Sequence, residues 1–328
     1  MDKKTRVLNA MDCKPVDRVP VSFYTHCLTP EAAKDNGVPA QLGLLRNFNM
    51  DCLCVETDGY MEYPLSKNTG TLLDWTDLKA LKKDSPYFLG QLDRARRIAE
   101  QADDACIFFM LYGPFSTIKH TIGGEDKIME YYREGKEILT DAMKVIEEDT
   151  LYLADKLSET TNITGFFVSL QNAEYERFTA EEYREYLTQW DLNLLNHVNK
   201  LSDYNITHMC SWAGSPNNLD LWKDYPYKTV NWSVNIEHNM NLAQARKYFR
   251  PGTALMGGFD NTPAGVLYHC GKQEIKEFTK RQLDLAGQIG TILCADCSVQ
   301  MDQDTQRVRY VVEACEEYAQ EHPVKISE

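Results

Sequence analysis

His208 and Cys210 stand one residue apart, and two more cysteines follow late in the chain, in the run Cys294-Ala295-Asp296-Cys297. Imidazole and thiolate form a soft nitrogen–sulfur donor set, the kind that zinc prefers. Residues two apart on a strand point to the same side, so His208 and Cys210 can reach one ion together. One thiolate from the later run would complete a three-ligand site, leaving the fourth position open to substrate as catalytic zinc requires. Spacing alone does not decide this. A single His-x-Cys arises readily by chance, and an isolated Cys-x-x-Cys lacks the second pair of a zinc ribbon.

Bringing these residues together needs elements that end at one place. Eight short runs rich in β-branched or aromatic residues read as buried parallel strands: Val19–Tyr24, Asp51–Glu56, Ala105–Tyr112, Gly165–Leu170, Ile206–Ser211, Thr229–Ser233, Ala254–Phe259 and Thr291–Cys297. Helical patterns lie between them, including Asp93–Asp103 and Lys127–Leu157, the second long enough for two helices. Thr179 and Glu182 form a capping box ahead of a helical stretch to Leu201. The stretch after Gly271 stops at Gly287, and Asp304–His322 reads as the closing helix. Eight strand-then-helix units predict an α/β fold, a (β/α)8 TIM barrel forming a single domain over residues 1–328. A doubly wound open sheet gives the same alternation, but no Gly-rich phosphate fingerprint follows the first strand.

In a barrel, chemistry collects where strands end and βα loops begin. His208 and Cys210 end the fifth run and Cys297 ends the eighth, while Cys294, three residues earlier, is expected on the other side of its strand. Asp58 and Tyr60 follow the second run, Asn172 and Glu174 the fourth, and Asp260 and Asn261 the seventh. A carboxylate near zinc could be a fourth ligand or the proton acceptor for a thiol, which makes Glu174 and Asp260 the candidate catalytic acids. Asp and Asn also cap helices, and that reading stands beside the functional one. Tyr24, Tyr60, Tyr112 and Trp232 are expected to line the mouth with aromatics, although such residues more often belong to the core. His26 and Cys27, just after the first run, could approach the metal. His120, His238 and His269 read as surface or satisfied histidines.

Composition excludes several classes. A net charge of -14 with no basic cluster makes nucleic acid an unfavourable partner. No segment nears the roughly 18 apolar residues of a membrane span, and the N-terminal stretch has no signal-peptide apolar core. A cytoplasmic location is expected. There the ten cysteines are small buried hydrophobes or metal ligands, not disulfides.

The chain resembles the uroporphyrinogen decarboxylase superfamily in blocks that run in order from end to end. They are RVLNAMDCKPVDRVPV (Arg6–Val21), YGPFSTIKHTIGG (Tyr112–Gly124), ITHMCSWAG (Ile206–Gly214), Asn231-Trp232, MGGFDN (Met256–Asn261) and ILCADCSVQMDQDTQRVRYVVEA (Ile292–Ala314). The resemblance implies a (β/α)8 barrel. In motif it is nearest the zinc-dependent methyltransferases that act between methylcobalamin and thiols such as coenzyme M. Their His-x-Cys and distant Cys correspond to His208, Cys210 and Cys297, and Cys294 falls outside that pattern. Asp58, Tyr60, Tyr112, Asn172, Trp232 and Asn261 are then expected around the corrinoid or substrate. The family's decarboxylases carry an arginine-rich block near the first strand to hold substrate carboxylates. Here Val21–Glu31 contains no arginine, so a tetrapyrrole with many carboxylates would lack its bidentate partners.

The resemblance thus implies methyl transfer in one direction or the other between a corrinoid and a small thiol, with zinc as cofactor. Nothing in the chain resembles the Asp-x-His-x-x-Gly signature of a corrinoid domain, so the methylcobalamin would arrive on a separate protein or free. A homodimer is compatible with this scheme. A lyase acting on a smaller carboxylate through Asp58 or Asp260, and a non-catalytic zinc- or corrinoid-binding barrel, are the rival readings.

Overall fold

The computed structural model describes residues 1–211, 214–237, 240–299 and 306–325. Among these, seven parallel strands lie side by side in chain order: β1 (Cys52–Val55), β2 (Cys106–Tyr112), β3 (Gly165–Leu170), β4 (Ile206–Met209), β5 (Thr229–Trp232), β6 (Ala254–Phe259) and β7 (Thr291–Ala295). The result is an α/β fold of the TIM-barrel-like kind, with helices in every interval except β4–β5, where the described residues form a 3-10 turn at Leu219–Leu221.

The expected first strand does not form as a strand. Val19–Tyr24 makes one parallel bridge, Val21 to Leu293 of β7. The Ser22 N–H donates to the Leu293 carbonyl and the Leu293 N–H to Pro20 (3.0 and 2.9 Å), while the Val21 carbonyl accepts from the Asp51 N–H beside β1 (2.9 Å). The physical reason is who takes its donors. Pro20 has no N–H, Val21 N–H goes to the Asp51 carboxylate (2.9 Å) and Phe23 N–H to the Met50 sulfur (3.1 Å). Side chains replace the ladder.

The long helical pattern is one element, Glu125–Thr160, interrupted where Gly135 leaves helical geometry (φ -158, ψ 57). The Thr179–Glu182 capping box forms, and the helix Lys272–Ala286 ends at Gly287, whose φ of 74 favours glycine. The final helix spans Gln306–Glu321; the expected start at Asp304 lies outside the described residues. All ten cysteines are free thiols.

Two apolar layers hold the sheet. One fills its concave side with Cys54, Phe108, Phe167, Met256, Ile292 and Cys294, closed from below by Val7, Ala10 and Met11 of the helix Lys3–Met11. The other lies between sheet and helices and includes Phe109, Val168, Val230, Trp232 and Leu255. Alternation along each strand sorts residues between the two. No helix among the described residues is long and apolar enough to cross a membrane.

Arg6 ties this lower end together, reaching Asp51 at 2.6 Å and Asp17 at 2.7 Å. Burial works against ionisation of Asp17, but the Arg6 guanidinium prevails and holds its carboxyl down to about 2. A depressed carboxyl contributes stability above its unfolded value of about 3.9 and loses it as the pH falls through 2. Asp17→Asn should therefore cost about 1 kcal/mol at pH 7, the size of a partly exposed ion pair, and only a small part of that near pH 2. Urea unfolding of both proteins at the two pH values reads the difference.

Candidate functional site

His208 sits on β4 facing the concave side, its ring 5.2 Å from that of Phe167 and 6.3 Å from that of Tyr24. Cys210 continues the ladder one residue past the strand, its N–H donating to Leu170 at 2.9 Å, so it keeps the inward side. Cys297 arrives by a different route. β7 ends at Ala295, and the chain bends through Asp296 and Cys297. The ligand atoms of His208, Cys210 and Cys297 then lie within 4.8 Å of one another.

The expected placement of Cys294 needs correction. It is buried within the concave layer, on the same side as the trio but deeper. The bend after Ala295 breaks the alternation that put Cys294 and Cys297 on opposite faces.

Neither ring nitrogen of His208 has a hydrogen-bond partner, although the residue is 2% exposed. A buried polar group left so costs about 1–3 kcal/mol. The Cys297 thiol is held well below its ordinary range, first by the Cys210 thiol donating toward it and then by the His208 ring. Cys210 is correspondingly pushed up, first by Cys297 and then by burial. An imidazole beside two adjoining thiols is the donor set that zinc takes. The residues fit the metal.

A cleft of about 520 Å³ opens beside the trio, lined among others by Cys297, His26, Leu28, Ser211, Asn261 and Thr262. His26 is tied through Nδ1 to Asp58 (2.7 Å) and approaches the Glu56 carboxylate (3.6 Å). The Cys27 N–H donates to the other Asp58 oxygen at 2.6 Å. Burial opposes protonation of His26, but Glu56 and Asp58 raise it to about 9.

The other expected residues divide. Asn261 lines the cleft and donates to the Ser298 carbonyl at 3.1 Å. Asp260 accepts from the Thr262 N–H at 2.7 Å, ordering the loop that carries Asn261. Glu174 is buried, paired through one oxygen with Arg177 at 2.9 Å while Oε1 has no partner. It lies outside the 4.8 Å group, but its charge raises the Cys210 thiol. Asn172 is buried at a positive φ of 71 and donates to Ser116 at 3.0 Å. Tyr112 bonds the Met110 sulfur at 2.8 Å and meets His120 edge-on at 4.9 Å.

Two expectations are corrected. Trp232 does not line the mouth. It packs in the layer between sheet and helices, 5.5 Å from Phe249, with its indole N–H on Met240. Its neighbour Asn231 is the inward residue, bonding Tyr24 and the Met256 and Ala295 carbonyls. Tyr60, like Tyr24 and Tyr112, is not among the residues lining the cleft. Its hydroxyl bonds Asn36, its ring meets the Arg94 guanidinium, and a Cβ at Gly90 would collide with it. His120 is the satisfied kind, packed edge-on against Tyr112, and burial lowers it to about 3. His269 is exposed, and His238 lies outside the described residues.

Sequence reasoning missed Glu56 and Lys119. Glu56 closes the second run at the strand end, where the rule that found His208 would also have found it. Lys119 is 1% exposed, and burial lowers its ammonium to about 8 against the pull of Glu174 and Cys210. It sits in a helix, Pro114–Ile122, whose pattern gives no sign of this.

The family model for uroporphyrinogen decarboxylase (URO-D) matches residues 59–318. No curated protein is similar enough in sequence to count as a match. Among solved structures, a methyltransferase from Methanosarcina mazei superposes with a TM-score of 0.74 at 16% identity, covering 97% of this chain and 99% of that one. A B12-independent methionine synthase from Shewanella sp. W3-18-1, in complex with selenomethionine, gives 0.57 at 13% identity over 93% and 98%. A beta-mannanase from the blue mussel Mytilus edulis gives 0.52 at 11% over 89% and 91%. Likenesses at such identities speak to the fold.

Proposed function

We propose that this chain, which belongs to the uroporphyrinogen decarboxylase family, is a zinc-dependent methyltransferase working between a corrinoid and a small thiol. The observation that carries this reading is the trio itself: His208, Cys210 and Cys297 within 4.8 Å, with both imidazole nitrogens unpartnered. His208, Cys210 and Cys297 would hold the metal. Zinc there supplies a Lewis acid that keeps a thiol ionised near neutral pH.

The remaining residues shape and serve the site. The cleft takes the thiol beside Cys297. Glu174 is the proposed proton acceptor, its free oxygen buried and its other oxygen fixed by Arg177. Asp260 orders the loop that brings Asn261 to the cleft. Asp58 fixes the His26 ring. Asn172 and Tyr112 are the proposed support below the substrate, while Tyr60 and Trp232 are left to packing. The corrinoid, as co-substrate, would dock from a separate protein at the mouth, where Leu28 is 70% exposed. The segment Val19–Tyr24 is the proposed closing member of an eight-part ring.

Decarboxylation of a uroporphyrinogen is disfavoured by the same residues. Val21–Glu31 offers no arginine, and His26 within it faces two carboxylates already.

Metal content tests the proposal. Protein purified without chelator is expected to carry close to one zinc per chain by plasma mass spectrometry, and Cys210→Ala to lose nearly all of it. Wild type that stays metal-free after zinc is added back would sink the reading.

A further inference from the structure

The thiol trio is not the only cluster with ligand spacing. His26, Glu56 and Asp58 also bring one donor atom each within 4.8 Å of one another. They come from the end of the Val19–Tyr24 segment and from the end of β1. Their character is different: an imidazole and two carboxylates, with no sulfur.

A pair of acids beside a histidine would ordinarily be read as an ion pair. Asp58 fits that reading, with one oxygen on the His26 Nδ1 and the other on the Cys27 N–H. Glu56 does not fit. It is 1% exposed, yet neither of its carboxylate oxygens makes a hydrogen bond. Its nearest cationic approach is His26 at 3.6 Å, and that nitrogen is already engaged by Asp58. Both carboxylates and the imidazole therefore converge on one point, with one carboxylate unspent.

We propose that His26, Glu56 and Asp58 form a second divalent-cation site, harder than the thiol site and on the wall of the same cleft. Carboxylate and imidazole donors suit manganese or ferrous iron, while thiolates favour zinc. His26 lines the cleft together with Cys297, so a cation held there would face the same substrate space. Burial, with Asp58 adding to it against the pull of His26, raises Glu56 to about 8. A cation relieves that penalty, as buried carboxylates require a partner of opposite charge. The Asp58 oxygen held by the Cys27 N–H fixes the ligand's orientation, the usual task of a supporting hydrogen bond at a metal site.

The test uses full-length protein stripped of metal, given one equivalent of zinc, and titrated with Mn2+ while paramagnetic resonance reads the free ion. Wild type is expected to take up one Mn2+ per chain, and Cys210→Ala, titrated without added zinc, to take it up equally well. Glu56→Gln and His26→Gln should each bind Mn2+ at least about tenfold more weakly, tenfold being the least that disturbing a site's supporting shell usually costs. Both should keep their zinc by mass spectrometry. No Mn2+ uptake by wild type overturns the site. So does uptake unchanged in either ligand variant, or lost in Cys210→Ala. If Glu56→Gln does not fold, His26→Gln decides alone. Because zinc and manganese are counted separately, failure here leaves the thiol site standing, and failure there leaves this one.

Discussion

Cys297→Ala is expected to lower methyl transfer between methylcobalamin and a small thiol by at least about 10³-fold, since a Lewis acid at the reacting sulfur contributes several kcal/mol. Cys297 carries this weight because it faces two ways. Its thiol is grouped with the His208 ring and the Cys210 thiol and it lines the cleft. Cys294→Ala is the matched control. That thiol is completely buried in the concave layer, so its loss should cost about 1–2 kcal/mol of stability, as core truncations do, and leave transfer intact. Rates are read from loss of the methyl–cobalt absorbance, alongside zinc content and urea midpoints for each variant. A Cys297→Ala protein that keeps a tenth of the wild-type rate would show that the thiol is not needed for transfer. A Cys294→Ala protein that loses its zinc would move the ligand assignment one turn down β7.

The contrast between these two cysteines also marks where reading the sequence succeeds. His208 and Cys210 are legible because both sit on one continuous ladder, and strand alternation is a strictly local rule. Cys297 is not legible in that way. It reaches the trio through the bend at Asp296, where the alternation that set Cys294 aside no longer applies, and the resemblance named it. Trp232 went wrong by a single step of the same alternation: in Asn231-Trp232 the polar residue faces inward and the aromatic outward. Glu56 illustrates a different limit. Its position at a strand end was visible, but the lack of hydrogen bonds around it depends on every neighbour. The pairing of His26 with Asp58 spans 32 residues, and no local pattern announces it. Val19–Tyr24 has the composition of a strand, but whether a run forms a ladder depends on what its N–H groups meet.

One of them, the Val21 N–H, meets Asp51, and this makes the second large effect. Asp51 is completely buried and accepts from Arg6 (2.6 Å), twice from Arg18 (2.7 and 3.0 Å) and from the Val21 N–H (2.9 Å). Two guanidinium groups, each under 9% exposed, share one carboxylate. Asp51→Ala leaves both buried charges short of their partner, a change that costs about 3–5 kcal/mol, and it also orphans the Val21 N–H. Asp17 still holds Arg6, so Arg18 suffers more. Asp51→Asn keeps one acceptor oxygen and should fall between alanine and wild type in urea unfolding. The consequence reaches beyond stability. Asp51 anchors the segment that runs on to Tyr24 and His26, the first in ring contact with His208 and the second in the cleft. Loosening that anchor should increase hydrogen exchange across residues 19–26 before the rest of the sheet opens. An alanine variant within 1 kcal/mol of wild type, with exchange unchanged there, would mean that the bridge from Val21 to β7 holds the segment without its carboxylate.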